Sequence, residues 1–113
     1  MDKILEQTLL FDFYGELLTS HQRDIYEQVV FDDYSLSEVA EEHGISRQGV
    51  HDLVRRCDKA LHEYENKLGL VARFQETKRL VEEIHRLTQE FEQTGSGDCV
   101  KQIEQISLQI GDL

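Results

Sequence analysis

The stretch from Ser35 to Arg56, SLSEVAEEHGISRQGVHDLVRR, leaves the chain little freedom in how it folds. Ser35 and Glu38 have capping-box spacing, in which each side chain satisfies an orphan amide at a helix start. Val39 and Ala40 follow on the inner face of that helix, and Ala40 is small enough for a second helix to approach closely. Gly44 falls where the chain must turn sharply, a place that favours a residue tolerant of positive φ. Ile45 plugs the turn, Ser46 caps the next helix, and Val50, Leu53 and Val54 face back onto the first. The spacing therefore predicts two helices joined by a tight turn. Its outward set is Arg47, Gln48, His51, Asp52, Arg55 and Arg56.

The rest of the chain agrees with a helical fold. None of the 113 residues is proline, and most are strong helix formers, so the predicted class is all-α. Residues 3–18 read as an amphipathic helix with Ile4, Leu5, Thr8, Leu9, Phe11, Phe13, Leu17 and Leu18 on a wide apolar face. Thr19 and Gln22 repeat the capping-box spacing and open a helix whose inner face is Ile25, Tyr26, Val29 and Val30. The helix after Ser46 runs on to about Lys67, because Leu61 and Tyr64 continue its stripe. Beyond Gly69 a long helix over 71–92 places Val71, Phe74, Val81, Ile84, Leu87 and Phe91 near heptad spacing. After Gly95-Ser96-Gly97 a short helix over 98–110 aligns Val100, Ile103, Ile106 and Ile110. This organisation predicts a helix-turn-helix domain over 1–68 and a C-terminal helical hairpin over 69–113. The apolar stripes of the hairpin require a partner surface, either the N-terminal domain or a second subunit, and of the two a homodimer through residues 71–110 is the expected one.

Charge sets a condition on function. With 12 basic and 23 acidic residues the formal net charge is −11, whereas a nucleic-acid binder usually carries a basic surface. The charge is uneven, however. Residues 21–45 hold one basic and seven acidic residues, or −6; residues 46–59 hold Arg47, Arg55, Arg56 and Lys59 against Asp52 and Asp58, or +2. The second helix of the pair is the basic segment of an acidic chain.

No secretory signal or membrane-spanning run is expected, and the two cysteines lack CxxC spacing, so the expected setting is a reduced cytoplasm without membrane association. Cys57 continues the apolar stripe and is expected in the core, while Cys99, after the flexible break, is expected to be exposed. The histidines are scattered, Glu82 preceding His85 by three residues, and no metal is expected. No cofactor motif and no catalytic signature is present, so the chain is not expected to be an enzyme.

Leu18-Thr19-Ser20-His21-Gln22-Arg23, taken with Ser35–Leu61, resembles region 4 of bacterial sigma factors. MDKILEQTLLFDFYGELLTSHQRDIYEQVV and FDDYSLSEVAEEHGISRQGVHDLVRRCDKALHEYENKLGLVARF extend the likeness: the chain is similar to the YlxM family over nearly its whole length. Those are small proteins of Gram-positive bacteria to which DNA binding is ascribed, with a link to the signal recognition particle pathway inferred from gene neighbourhood. The resemblance implies a sigma-region-4-like tri-helical domain with a helical extension, acting in transcription regulation. It places base contacts on Ser46, Arg47, Gln48, His51 and Arg55, and phosphate contacts near Arg56 and Lys59. The domain that binds the −10 promoter element has no counterpart here, so the resemblance does not extend to a complete sigma factor. Asp52 departs from a purely basic face; it can accept from a cytosine amino group or repel phosphate.

Two uses of this fold follow. In the first, the helix after Ser46 enters the major groove of DNA, with Arg47 and Gln48 reading bases and Arg55, Arg56 and Lys59 holding phosphates. In the second, the acidic surface of residues 24–42 binds a basic protein partner, such as a signal recognition particle component or RNA polymerase, and the net −11 charge assists approach.

Overall fold

The computed structural model describes residues 2–113, and every regular element among them is helical. Helix α1 spans Lys3–Tyr14, α2 Ser20–Val30, α3 Leu36–His43, α4 Arg47–Leu68, α5 Leu70–Thr94 and α6 Gly97–Gly111, with one 3₁₀ turn at Gly15–Leu17. The fold is all-α, as the composition requires. It divides into two compact units, one ending at Gly69 and one beginning at Leu70.

The helix starts are set locally. Thr19 Oγ1 accepts from the Gln22 amide at 3.1 Å while Gln22 Oε1 accepts from the Thr19 amide at 3.0 Å. Ser35 and Glu38 make the same reciprocal pair at 3.1 and 3.2 Å. Helices α3 and α4 both end at glycines in the left-handed region, Gly44 at φ 67° and Gly69 at φ 63°. A Cβ would be strained at either position, and the left-handed cap ends each helix so that the next begins within three residues.

In the first unit α4 is the central helix, packing against α1, α2 and α3. It buries Val50, Leu53, Cys57 and Leu61. Against that stripe lie the fully buried Ile25 and Tyr26 of α2 and Val39 and Ala40 of α3. The α1 face differs from the sequence expectation. Leu10, Tyr14 and Leu18 are buried, whereas Ile4, Leu5, Phe13 and Leu17 are exposed. This helix is apolar on nearly all sides, so periodicity cannot choose its inner face. Polar anchors to α4 accompany the choice: Tyr14 donates to Glu65 Oε1 at 2.6 Å and Gln7 Nε2 to Asp58 Oδ1 at 3.1 Å.

In the second unit α5 and α6 form a helical hairpin around Leu80, Leu87 and Ile106, with Ile84, Ile103 and Ile110 packed beside them. Two details correct the sequence reading. The α5 stripe runs through Leu80, leaving Val81 51 % exposed and Phe91 42 % exposed. At the start of α6 it is Cys99 that is buried, at 2 %, while Val100 is 52 % exposed. Positions 99, 103, 106 and 110 step by four, three and four residues, which keeps one side of a helix in register; the expected exposure of Cys99 is therefore wrong.

Candidate nucleic-acid interface

The outward face of α4 follows from its inward one. Ser46 starts the helix, its Oγ accepting from the Gly49 amide at 2.9 Å. Burial of Val50, Leu53, Cys57 and Leu61 then fixes the helix rotation, and side chains a turn apart share a face. All seven residues singled out from the sequence, Ser46, Arg47, Gln48, His51, Arg55, Arg56 and Lys59, are exposed. All but Ser46 border two shallow depressions along α4. Leu36, Arg47, Gln48 and His51 line the first, and Asp52, Arg55, Arg56 and Lys59 line the second.

Among the described residues Arg47, Arg55, Arg56 and Lys59 make no ion pair. Their donors and charges are open to solvent. Asp52 behaves differently: its Oδ1 accepts from Gln48 Nε2 at 2.9 Å and lies 3.8 Å from His51 Nδ1. The carboxylate thus holds the Gln48 amide along the helix and places one negative charge among the cations.

The other acidic residue of this segment does not face outward with them. Asp58 Oδ1 accepts a 2.5 Å hydrogen bond from the hydroxyl of Tyr26, a residue with no exposed surface, and another from Gln7. Burial, then the hydrogen bond to Asp58, pushes the Tyr26 phenol far above its usual range. Next to it, burial and then the Asp58 charge push the Cys57 thiol up to about 11, so it stays protonated at neutral pH and lacks the thiolate of a reactive cysteine. One turn on, His62 Nδ1 lies 2.8 Å from the Asp58 carbonyl oxygen, and Nε2 meets the Glu6 carboxylate. These two bonds, the backbone one first, raise the His62 pKa.

Asp58 thereby joins α4 to α1 and α2 rather than to the outward surface. Sequence reasoning counted it only as a charge. Its signal was positional: it follows Cys57, lies four residues after Val54 and three before Leu61, beside the buried stripe.

The comparisons with known proteins bear on this arrangement. A family described as "Putative helix-turn-helix protein, YlxM / p13 like" matches residues 1–106. The chain belongs to this family. A member from Thermoanaerobacter sp. (strain X514) is 42 % identical over 113 residues, covering 99 % of this chain and 97 % of that protein. One from Caldanaerobacter subterraneus subsp. tengcongensis is 51 % identical over 83 residues, covering 74 % of this chain and 71 % of the relative. One from Bacillus licheniformis is 43 % identical over 88 residues, covering 78 % and 82 % respectively. In this chain α3 and α4 are two helices joined by a tight turn at Gly44. Among the described residues no helix is long and apolar enough to cross a membrane.

Proposed function

We propose that the chain is a DNA-binding regulator that lays the N-terminal half of α4 in the major groove. Binding rather than catalysis is its role. The observation that carries this reading is the row of four exposed cations on α4 that reach no carboxylate. An arginine already clasped by glutamate must give up that pair to meet a phosphate, whereas these four do not.

Within this reading Arg47 and Gln48 lie nearest the start of α4, where helix-turn-helix proteins contact base edges. Ser46 retains its hydroxyl proton as a donor while its oxygen caps the helix, and His51 lies one turn further on. Arg55, Arg56 and Lys59 hold phosphates. Inward-facing Asp58 supports the assignment, because Asp52 is then the one carboxylate left among the cations of residues 46–59.

The hairpin of α5 and α6 serves self-association in this proposal. Val81, Val100 and Leu108 are each more than half exposed there, and a two-fold dimer would present two α4 helices to half-sites about 34 Å apart. The test is retention of pooled genomic fragments at low salt, followed by sequencing of the bound pool. Retention with enrichment of a common sequence is expected. Arg47→Ala should broaden the enriched set, while Arg56→Ala should weaken all fragments about equally and reduce the salt slope by about one. No retention at low salt overturns the proposal.

A further inference from the structure

Away from α4, helices α1 and α2 flank an open groove of about 310 Å³ with an aromatic floor and an acidic rim. Phe11 and Phe31 form the floor, with ring centroids 5.3 Å apart. Both are half-buried and stand on the fully buried Tyr26, whose ring stacks on Phe11 at 5.6 Å. Gly15 closes one end of the ring. A Cβ there would come within 3.1 Å of the Phe11 ring, so glycine makes room for that ring position. Around the floor stand Asp12 of α1 and Glu27 and Asp32 of α2 and its C-terminal turn. Among the described residues none of these three carboxylates has a side-chain hydrogen bond or an ion pair.

We infer that this groove docks a basic segment of a protein partner, with an arginine side chain laid over Phe11 and Phe31 between Asp12, Glu27 and Asp32. The chemistry selects arginine. A planar guanidinium stacks on an aromatic face and still directs its edge donors to surrounding carboxylates, which a lysine ammonium cannot do in the same way. The groove volume suits one such side chain rather than a whole helix. Nucleic acid is a poor occupant, because the rim would repel phosphates. The surface carries no α4 residue, so this inference is independent of DNA binding: either can fail without the other.

The probe is the peptide fluorescein-Gly-Gly-Arg-Gly-Arg-Gly-Gly-amide, labelled at its N-terminal amine and titrated into the full chain by anisotropy. Its control is the same peptide with citrulline, a neutral isostere, in place of arginine. Three variants share one experiment. Asp12→Asn/Glu27→Gln/Asp32→Asn removes the rim; Glu63→Gln/Glu82→Gln/Glu92→Gln removes the same formal charge elsewhere; Phe11→Leu keeps an apolar floor without the π face. The rim triple is expected to weaken the arginine peptide by about tenfold or more, and the second triple, whose residues line no part of the groove, by no more than about twofold, since a field without direct contact is screened by salt. Phe11→Leu should weaken it several-fold at an unchanged helical circular dichroism signal. Equal losses in the two triples, or equal binding of the citrulline peptide, overturn the inference. So does a rim triple that splits a dimer of the chain in sedimentation while the arginine peptide leaves the groove untouched, because the occupant is then a second copy.

Discussion

Helices α4 and α5 are both long, both amphipathic and both supplied with arginine, yet among the described residues two of the three arginines of α5 are paired with carboxylates, Arg73 being the exception, whereas none of the three on α4 is. On α5, Arg79 donates to Glu76 at 2.6 and 3.0 Å, and Arg86 donates to Glu83 and to Glu90. These are i, i+3 and i, i+4 pairs on an exposed helix face, where they support the helix locally and occupy the guanidinium donors. The pairing holds Glu76 and Glu83 below the ordinary carboxylate range, the hydrogen bond to arginine being the main cause. On α4, Arg47, Arg55, Arg56 and Lys59 form no ion pair among the described residues, and the neighbouring Asp58 is turned to Tyr26. Counting arginines does not separate the two helices. Counting uncommitted ones does.

The largest expected effect tests that distinction directly. Arg55→Ala/Arg56→Ala/Lys59→Ala should lower the salt slope of DNA retention by about 2.7, at roughly 0.9 per phosphate contact, or on the order of eightfold in affinity for each contact at 0.1 M salt. Arg79→Ala/Arg86→Ala should change DNA affinity by less than about twofold. Filter binding across a salt series measures both. Similar losses in the two variants would break the comparison between helices.

A smaller effect concerns the inward side of α4. Asp58→Ala leaves the Tyr26 hydroxyl buried without its acceptor, at a cost of about 1–3 kcal/mol. Urea unfolding should show the loss, and hydrogen exchange should place it in α1, α2 and α4, leaving α5 and α6 unchanged. Tyr26→Phe/Asp58→Leu removes both partners together and should recover part of it, as apolar replacement of a hydrogen-bonded pair commonly does.

Next comes Asp52. Asp52→Asn keeps an amide oxygen able to accept from Gln48 but removes the charge beside the cations. Affinity for all DNA should rise a few-fold, with the salt slope higher by less than one. A fall in affinity would mean that Asp52 accepts from a base.

The smallest effect belongs to His62, which lies on the exposed edge of the α1–α4 contact. Its pKa is raised in the folded chain, by the Asp58 carbonyl bond first and the Glu6 bond second. Stabilisation from a raised pKa is fully present below the unfolded value near 6.5 and is lost as pH rises through the folded value. The wild-type advantage over His62→Gln should therefore be greater at pH 6 than at pH 8, by no more than about 0.5 kcal/mol after solvent screening. Paired thermal melts of the two proteins measure it, and an advantage that grows with pH would contradict this assignment.

Much of the first unit was legible in the residues because its signals are local. Capping boxes at Thr19 and Ser35, the reversal at Gly44 and the cap at Ser46 depend on chemistry within four residues, and each has the expected geometry. The stripe Val50–Leu53–Cys57–Leu61 turned the seven polar residues outward before any coordinate was needed. Three features were not legible. An α1 helix apolar all round did not announce Leu10 and Tyr14 as its buried side. On α5 and α6, adjacent apolar residues at 80/81 and 99/100 left a one-residue ambiguity that only packing between the helices resolves. The groove between α1 and α2 was invisible too, because Asp12 and Glu27 are distant in sequence and neither is unusual by itself.

By itself, the sequence determined the helical class, the position of each helix start in the first unit and the identity of the outward residues of α4. All of these depend on periodicity and on caps, which act over one turn. Tertiary structure decided which acidic residues stay with the cations. Asp52 remains beside them, while Asp58 is drawn inward because the fold brings the Tyr26 hydroxyl within 2.5 Å of it. A formal charge can be counted along a chain, but whether it faces a ligand depends on which buried donor needs it.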